Sequence, residues 1–431
     1  MKFIIKIFIV LSILLVSCQE QNRVTSNKIV TIDKEHERII NHILDFFNKN
    51  AYQPELEVYH SEISNTGQTI SQKVYNVALS RLVYGLSYSS IINTSNLEKA
   101  EKAVDFQLAN LVAEDSIGKY FISYFDTKSM SPDSSTNLDI WQQAYGLCGL
   151  SELYRNYPTE ALLSTIHQLH DAFVNRFHDK VNGGFYGNYN IKTGSVSGSK
   201  SLQTLVYPIT AYMENLWLAD SKNKNKYEPY LKENLSIAYE NAWNEKLEWV
   251  NIKFDDEWNF CEHSSAEKPC FTVSPGHNFQ FASLLLRTSY WNFLTDEEQK
   301  KYRKLGTEIL SKTLEKPIYS SNDLSQGFFS EVNPVTNEVI DDRKTWWQHC
   351  EALVALSLAG EKFEDKKIEL KKFYFNTFMD LKHGGEFFYL DNNNNPQTEE
   401  LKGNIGKSAY HTIEMIRFLD NNIFSEKVLI K

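Results

Sequence analysis

Two histidines stand in the same local setting in this chain. In "SPGH" (274–277), Ser274 and Pro275 precede His277, and an apolar pattern of helical spacing follows. In "GKSAYH" (406–411), Ser408 stands three positions before His411, again ahead of an apolar run. Ser274 reads as a helix N-cap and Pro275 as the first helical residue, with Ser408 as the matching cap. Each imidazole is then expected in a first turn, where the positive end of the helix dipole disfavours its protonated form. A neutral imidazole is suited to act as a base. Two such bases could take a proton from one face of a carbon beside a carbonyl. Returned to the same sugar carbon, the proton gives an epimer; returned to the neighbouring carbon, it gives an aldose–ketose isomer. Both routes pass through an enediolate, and neither calls for a metal or a cofactor.

Other residue types fit that chemistry. Arg81 has Val77, Ala78, Tyr84 and Gly85 as helical neighbours, and Glu351 has Trp347, Gln348, Val354 and Ala355. A charge in such surroundings needs a partner or a ligand, and one solution is that the two pair with each other. Trp346, Trp347 and Tyr207 offer faces on which a sugar ring can stack. Two acidic runs, Asp255-Asp256-Glu257 and Asp341-Asp342, could supply the paired carboxylates of a glycoside hydrolase, but they read as solvated loops. His167 and His170 share a polar helix and read as solvated rather than as metal ligands.

Positioning these residues takes a repeating framework. Apolar periodicity predicts twelve helices, at 34–50, 70–90, 95–112, 138–157, 158–178, 200–219, 226–244, 276–294, 296–315, 343–359, 361–378 and 406–423. The even-numbered ones are the more apolar. Each even helix is followed closely by the next odd one. Each odd helix is separated from the next even one by a long stretch with hairpin signals, such as "HDKVNGGFYGNYN" and "KHGGEFFYLDNNNNP". Arg81, Gln143, Tyr207, His277, Trp347 and His411, one per even helix, recur at spacings of 62, 64, 70, 70 and 64 residues. Six helical hairpins of similar length imply a closed ring, even helices inside and odd ones outside. This is an all-α (α/α)6 barrel with short β-hairpins in the long loops at one end. The inner helices then start together at that end, where functional loops gather.

The ends of the chain and its composition bound the setting. Lys2 and Lys6 flank "IFIVLSILLV", which runs into "LVSC" at Cys18. Residues 1–17 read as a lipoprotein signal peptide with lipidation at Cys18, 18–33 as a polar tether, and 34–431 as the barrel domain. The chain is therefore expected to be an exported bacterial lipoprotein, at the periplasmic face or outer membrane. Membrane contact is expected through the lipid alone. The net charge of −10 argues against nucleic acid. A carbohydrate is the expected partner, and a homodimer is left open. In an oxidising compartment "CEHSSAEKPC" suggests a Cys261–Cys270 disulfide, while Cys148 and Cys350 lie on apolar helix faces as buried thiols.

"KTWWQHCEAL", "PGH" opening a helix, "SRLVYGLS", "DKVNGGFY" and "WQQAYGLCGLSELYRNYP" together resemble the N-acylglucosamine 2-epimerase family, which includes cellobiose and mannobiose 2-epimerases and aldose–ketose isomerases. The resemblance runs from about residue 35 to the end. It implies an (α/α)6 barrel, with His277 and His411 as the acid–base pair. Arg81, Trp346, Trp347 and Glu351 would hold the sugar. The chain departs from the family pattern at several places. Gln280 stands where a glutamate follows the first histidine, and Glu414 where an arginine follows the last. Leu205 and Tyr207 replace histidines, and Thr210 a glutamate. One reading is that the supporting carboxylate has moved, with Glu414 serving His411 and Gln280 and Tyr207 left to contact substrate. The expected function is a sugar epimerase or isomerase acting at the reducing end of a mono- or oligosaccharide. A non-catalytic glycan-binding lipoprotein and a carbohydrate hydrolase on the same barrel are the alternatives.

Overall fold

The computed structural model describes residues 32–198, 200–260, 270–319 and 323–421. The inner helices are α2 (Asn76–Ser89), α4 (Ile140–Asn156), the rod formed by α6 (Leu202–Pro208) and α7 (Glu214–Ala219), α9 (Pro275–Arg287), α11 (Trp346–Ala359) and α13 (Tyr410–Leu419). The outer ones are α1 (Lys34–Asn50), α3 (Ser95–Asn110), α5 (Glu160–Phe177), α8 (Glu228–Asn241), α10 (Asp296–Leu314) and α12 (Glu364–Thr377). The two halves of the α6–α7 rod are joined by a π-turn at Ile209–Met213. The alternation is the (α/α)6 barrel.

Burial explains the two classes. Every residue of α2 is buried, as expected for a helix packed on all sides. The outer α10 buries only Tyr302, Gly306, Ile309, Leu310 and Thr313, one stripe at helical spacing. Its start is fixed by a capping box between Thr295 and Glu298. Neighbouring inner helices approach closely at glycines. A Cβ on Gly149 of α4 would collide with the Ser80 carbonyl of α2, and one on Gly85 would lie 2.7 Å from Ile413 of α13.

The long loops close the ring at one end. A residue ahead of each inner helix, immediately so for α2, α4, α6 and α11 and further upstream for α9 and α13, pairs antiparallel with another long loop. The pairs are Tyr75 with Tyr124, Asp139 with Asn188, Ser201 with Lys253, Val273 with Val332, Thr345 with Tyr389, and Gly403 with Ile63. All six inner helices therefore begin at one rim. Two of these loops carry the same clasp. Lys200 Nζ lies 2.6 Å from Asp179 and reaches the Gly183 carbonyl; Lys402 Nζ lies 2.6 Å from Asp380 and reaches the Gly384 carbonyl. The glycine pairs 183–184 and 384–385 all have positive φ, which lets each turn fold back on its aspartate. The Lys200 clasp lies directly ahead of α6, and the Lys402 clasp lies in the loop that leads into α13.

Some expectations fall elsewhere. Cys18 and Cys261 lie outside the described residues, as does the signal region. Cys270 is disulfide-bonded, and Cys148 and Cys350 are buried free thiols. His170 is not solvated: it is buried against Tyr212, Tyr227 and Tyr230, while His167 pairs with Asp220 at 2.8 Å. Among the described residues no helix is long and apolar enough to cross a membrane.

Candidate active site

A cavity of about 370 Å³ opens at the long-loop rim. Its walls include Arg81, Tyr207, His277, Gln280, Trp346, Trp347 and His411, contributed by five of the six inner helices. Trp141, Tyr145, Phe388 and the loop 404–406 complete it. The two imidazoles flank one indole: the Trp347 ring centroid is 5.4 Å from that of His277 and 6.2 Å from that of His411.

His277 is placed by the start of α9. The Ser274 side chain accepts from the Gly276 backbone N–H at 3.1 Å, and Pro275 occupies the first turn. The Gly276 N–H also donates to Gln348 Oε1 at 2.9 Å. A Cβ at 276 would collide with the Gln348 side chain, so this close contact requires glycine. His277 Nε2 lies 3.0 Å from the side-chain nitrogen of Gln203, and its Nδ1 has no hydrogen-bond partner among the described residues. Burial pushes this histidine down to about 4, with the Glu351 charge opposing.

His411 lies in the first turn of α13, but Ser408 does not cap that helix. Its hydroxyl instead donates to the Ala78 carbonyl at 2.9 Å, and the helix begins at Tyr410. His411 Nδ1 faces Glu351 Oε1 at 3.4 Å, and Gln280 Nε2 donates to the same oxygen at 3.2 Å. Burial and the Arg81 charge hold His411 below its ordinary range, against the pull of Glu351. Burial works to raise the Glu351 carboxyl, yet His411, Arg287 and Gln280 outweigh it and leave it lowered. At neutral pH the pair is a carboxylate beside a neutral imidazole.

Several expected pairings are replaced. Arg81 does not meet Glu351. It stacks at 3.8 Å over Tyr145, donates to the Gly406 carbonyl, and has no carboxylate partner among the described residues. Glu414 does not support His411. It is 3.3 Å from Arg287 and accepts from Tyr84, within a buried ion network below the cavity that includes Glu214 and Arg417. A carboxylate one helical turn after His411 points down the barrel axis, toward the basic residues at the far ends of α9 and α13. Gln280 serves Glu351, not His277. Gln143 turns away to bridge both backbone groups of Phe121. Burial raises the Tyr207 hydroxyl well above its ordinary range, so it stays protonated in the cavity wall. Asp255, Asp256, Glu257, Asp341 and Asp342 do not line the cavity, and Asp341 is taken by Arg343 at 2.7 Å.

Two contributors were not singled out from the sequence. Gln203 lies one helical turn before Tyr207, a spacing that could have marked it. Lys407, wholly buried, sits 4.6 Å over the Trp346 ring and 2.9 Å from Glu386. It fixes the indole from behind, and its signal was only proximity to His411.

What the arrangement can do is limited by its groups. It has two neutral nitrogen bases, a guanidinium with no carboxylate to neutralise it among the described residues, and flat aromatic walls. That set fits proton transfer at a carbon whose neighbouring oxygen gains charge.

The model of the N-acylglucosamine 2-epimerase (GlcNAc 2-epimerase) family matches residues 58–415. A cellobiose 2-epimerase from Dictyoglomus turgidum is 23% identical over 359 residues, covering 79% of this chain and 85% of that protein. A crystal structure of D-mannose isomerase superposes with a TM-score of 0.76 at 15% identity, covering 90% of this chain and 98% of that one. Cellobiose 2-epimerase from Spirochaeta thermophila superposes with a TM-score of 0.75 at 17% identity, covering 90% and 94%. These likenesses to solved structures give the fold, and the family match spans most of the chain. The chain belongs to the N-acylglucosamine 2-epimerase family.

Proposed function

We propose that the chain is a sugar 2-epimerase or aldose–ketose isomerase, moving hydrogen at the reducing end of a mono- or oligosaccharide through an enediolate. The observation that carries this reading is the cavity itself. His277 and His411 line one pocket on either side of Trp347, with Arg81, which has no carboxylate partner among the described residues, in the same wall. His411 takes the proton at C2, with Glu351 stabilising the imidazolium that forms. Arg81 offers N–H donors to the enediolate oxygen, a charge that develops only as the reaction proceeds. Trp346, Trp347 and Tyr207 pack the apolar faces of the sugar.

Hydrolysis is disfavoured by the same wall. It needs two carboxylates flanking the bond, and none of the described residues lining the cavity is Asp or Glu. The reading extends to location: an exported lipoprotein, anchored through Cys18, would meet sugars outside the cytoplasm. Cys18→Ala should move the protein from the membrane to the soluble fraction.

The test is incubation with D-mannose, D-glucose and cellobiose, with products separated by chromatography. A 2-epimer or a ketose supports the proposal. New reducing ends from an oligosaccharide would favour a hydrolase, and binding without any product would favour a glycan-binding protein.

A further inference from the structure

The residues behind the two imidazoles are not alike. His411 has a buried carboxylate, Glu351, at 3.4 Å. His277 has the neutral amide of Gln203 at 3.0 Å and no carboxylate oxygen within 4.0 Å among the described residues. Gln280, about one turn along α9 from His277, gives its amide to Glu351. An imidazole that takes a proton becomes a cation. A carboxylate behind it stabilises that cation, and an amide does not.

We propose that His411, backed by Glu351, alone moves hydrogen at carbon, while His277, held by Gln203, serves only the sugar oxygens, so that aldose–ketose isomerisation outruns 2-epimerisation. This rests on the proton-transfer reading above. His411 takes the proton from C2. The C2–H electron pair becomes the C1–C2 double bond, and the carbonyl pair settles on O1 beside Arg81. The His277 ring passes the O2 hydrogen to O1. The proton held on His411 exchanges with solvent through the open rim, His411 then delivers a proton to C1, and C2 becomes the carbonyl. C2 has given up one hydrogen, C1 has gained one, and one has gone from O2 to O1, with no oxidant or reductant. Inversion at C2 would instead need His277 to hand a proton to carbon from the opposite face. With its protonation near 4, only about one His277 ring in 10³ carries the extra proton at pH 7. Glu351 and Gln203 are thus positioning residues that set the outcome.

The experiment runs D-mannose, D-glucose and cellobiose with the full chain in D₂O and reads label position by NMR. Ketose labelled at C1 is expected to form initially at least about ten times faster than 2-epimer labelled at C2. His411→Asn should lose exchange of the C2 hydrogen in recovered aldose by roughly 10²-fold or more, and at least about ten times more than His277→Asn loses it. A 2-epimer as the main early product overturns the division of labour and leaves the parent reading standing. So does an equal loss of C2 exchange in the two variants. No label at either carbon with any of the three sugars overturns both. The wild-type label ratio decides the matter even if a variant does not fold.

Discussion

Replacing Glu351 by glutamine removes the charge behind His411 and keeps its shape. The two groups lie 3.4 Å apart. At an effective dielectric of about 20, a unit pair at that distance interacts by about 5 kcal/mol. A glutamine retains about 1 kcal/mol as a neutral hydrogen bond. The transition state, in which His411 has acquired its proton, should therefore lose about 3–4 kcal/mol, or roughly 10²–10³-fold in kcat. Without the carboxylate the imidazole binds its proton less tightly, so the acid limb of the kcat/KM profile should move to lower pH. Stability should behave differently. The folded chain holds the Glu351 carboxyl below its ordinary range, so its charged form is favoured by folding, and neutralising it should lower the melting temperature modestly without unfolding the chain at the assay temperature. Steady-state kinetics against pH, with a melting curve, makes the comparison. A loss in kcat below about three-fold, while His411→Asn is inactive, would refute the assignment of Glu351 to His411. So would a loss explained by unfolding.

Glu414→Gln should act on folding instead: it strips a partner from buried Arg287 and should cost about 3 kcal/mol in urea unfolding, with kcat per folded molecule changed little. Gly276→Ala forces the first turn of α9 off the Gln348 side chain, so it should lower kcat by about ten-fold or more and destabilise by about 1–3 kcal/mol, measured by kinetics and urea unfolding. Stability should fall on mild acidification, because burial lowers His170 to about 4 and His349 to about 3. Their folded-state pKa values lie below the unfolded value near 6.5, so below that pH the unfolded chain binds more protons and is favoured. Each should cost about 2 kcal/mol by pH 5, seen as a lower urea midpoint than at pH 7.

The barrel was legible because its signal is local and repeated. The stripe along "DEEQKKYRKLGTEIL" set α10 to within a residue, and the contrast between apolar and charged helices sorted inner from outer. Strand pieces next to inner helices were absorbed into them: the helix expected over 70–90 begins at Asn76, because Lys73–Tyr75 pairs with Tyr124–Asp126 far along the chain. Ser408 misled for a similar reason, since its hydroxyl has a better acceptor on α2 than on its own helix. Both histidines could be read from helix-start chemistry, which needs only neighbours in sequence. Their partners could not. Whether Arg81 meets Glu351 or Gly406, and whether Glu414 faces His411 or Arg287, depends on how deep each side chain sits along the barrel axis. Sequence spacing does not encode that depth.

The proposed chemistry has neutral imidazoles in one pocket moving hydrogen at a sugar carbon. Exchange of carbon-bound hydrogen with solvent tests it most directly, before any question of product. D-mannose held with the wild-type chain in D₂O at pH 7 should gain deuterium at carbon, and His277→Asn/His411→Asn should gain none. Wild-type chain that binds the sugar yet leaves every carbon-bound hydrogen unexchanged would rule out proton transfer at carbon by these imidazoles.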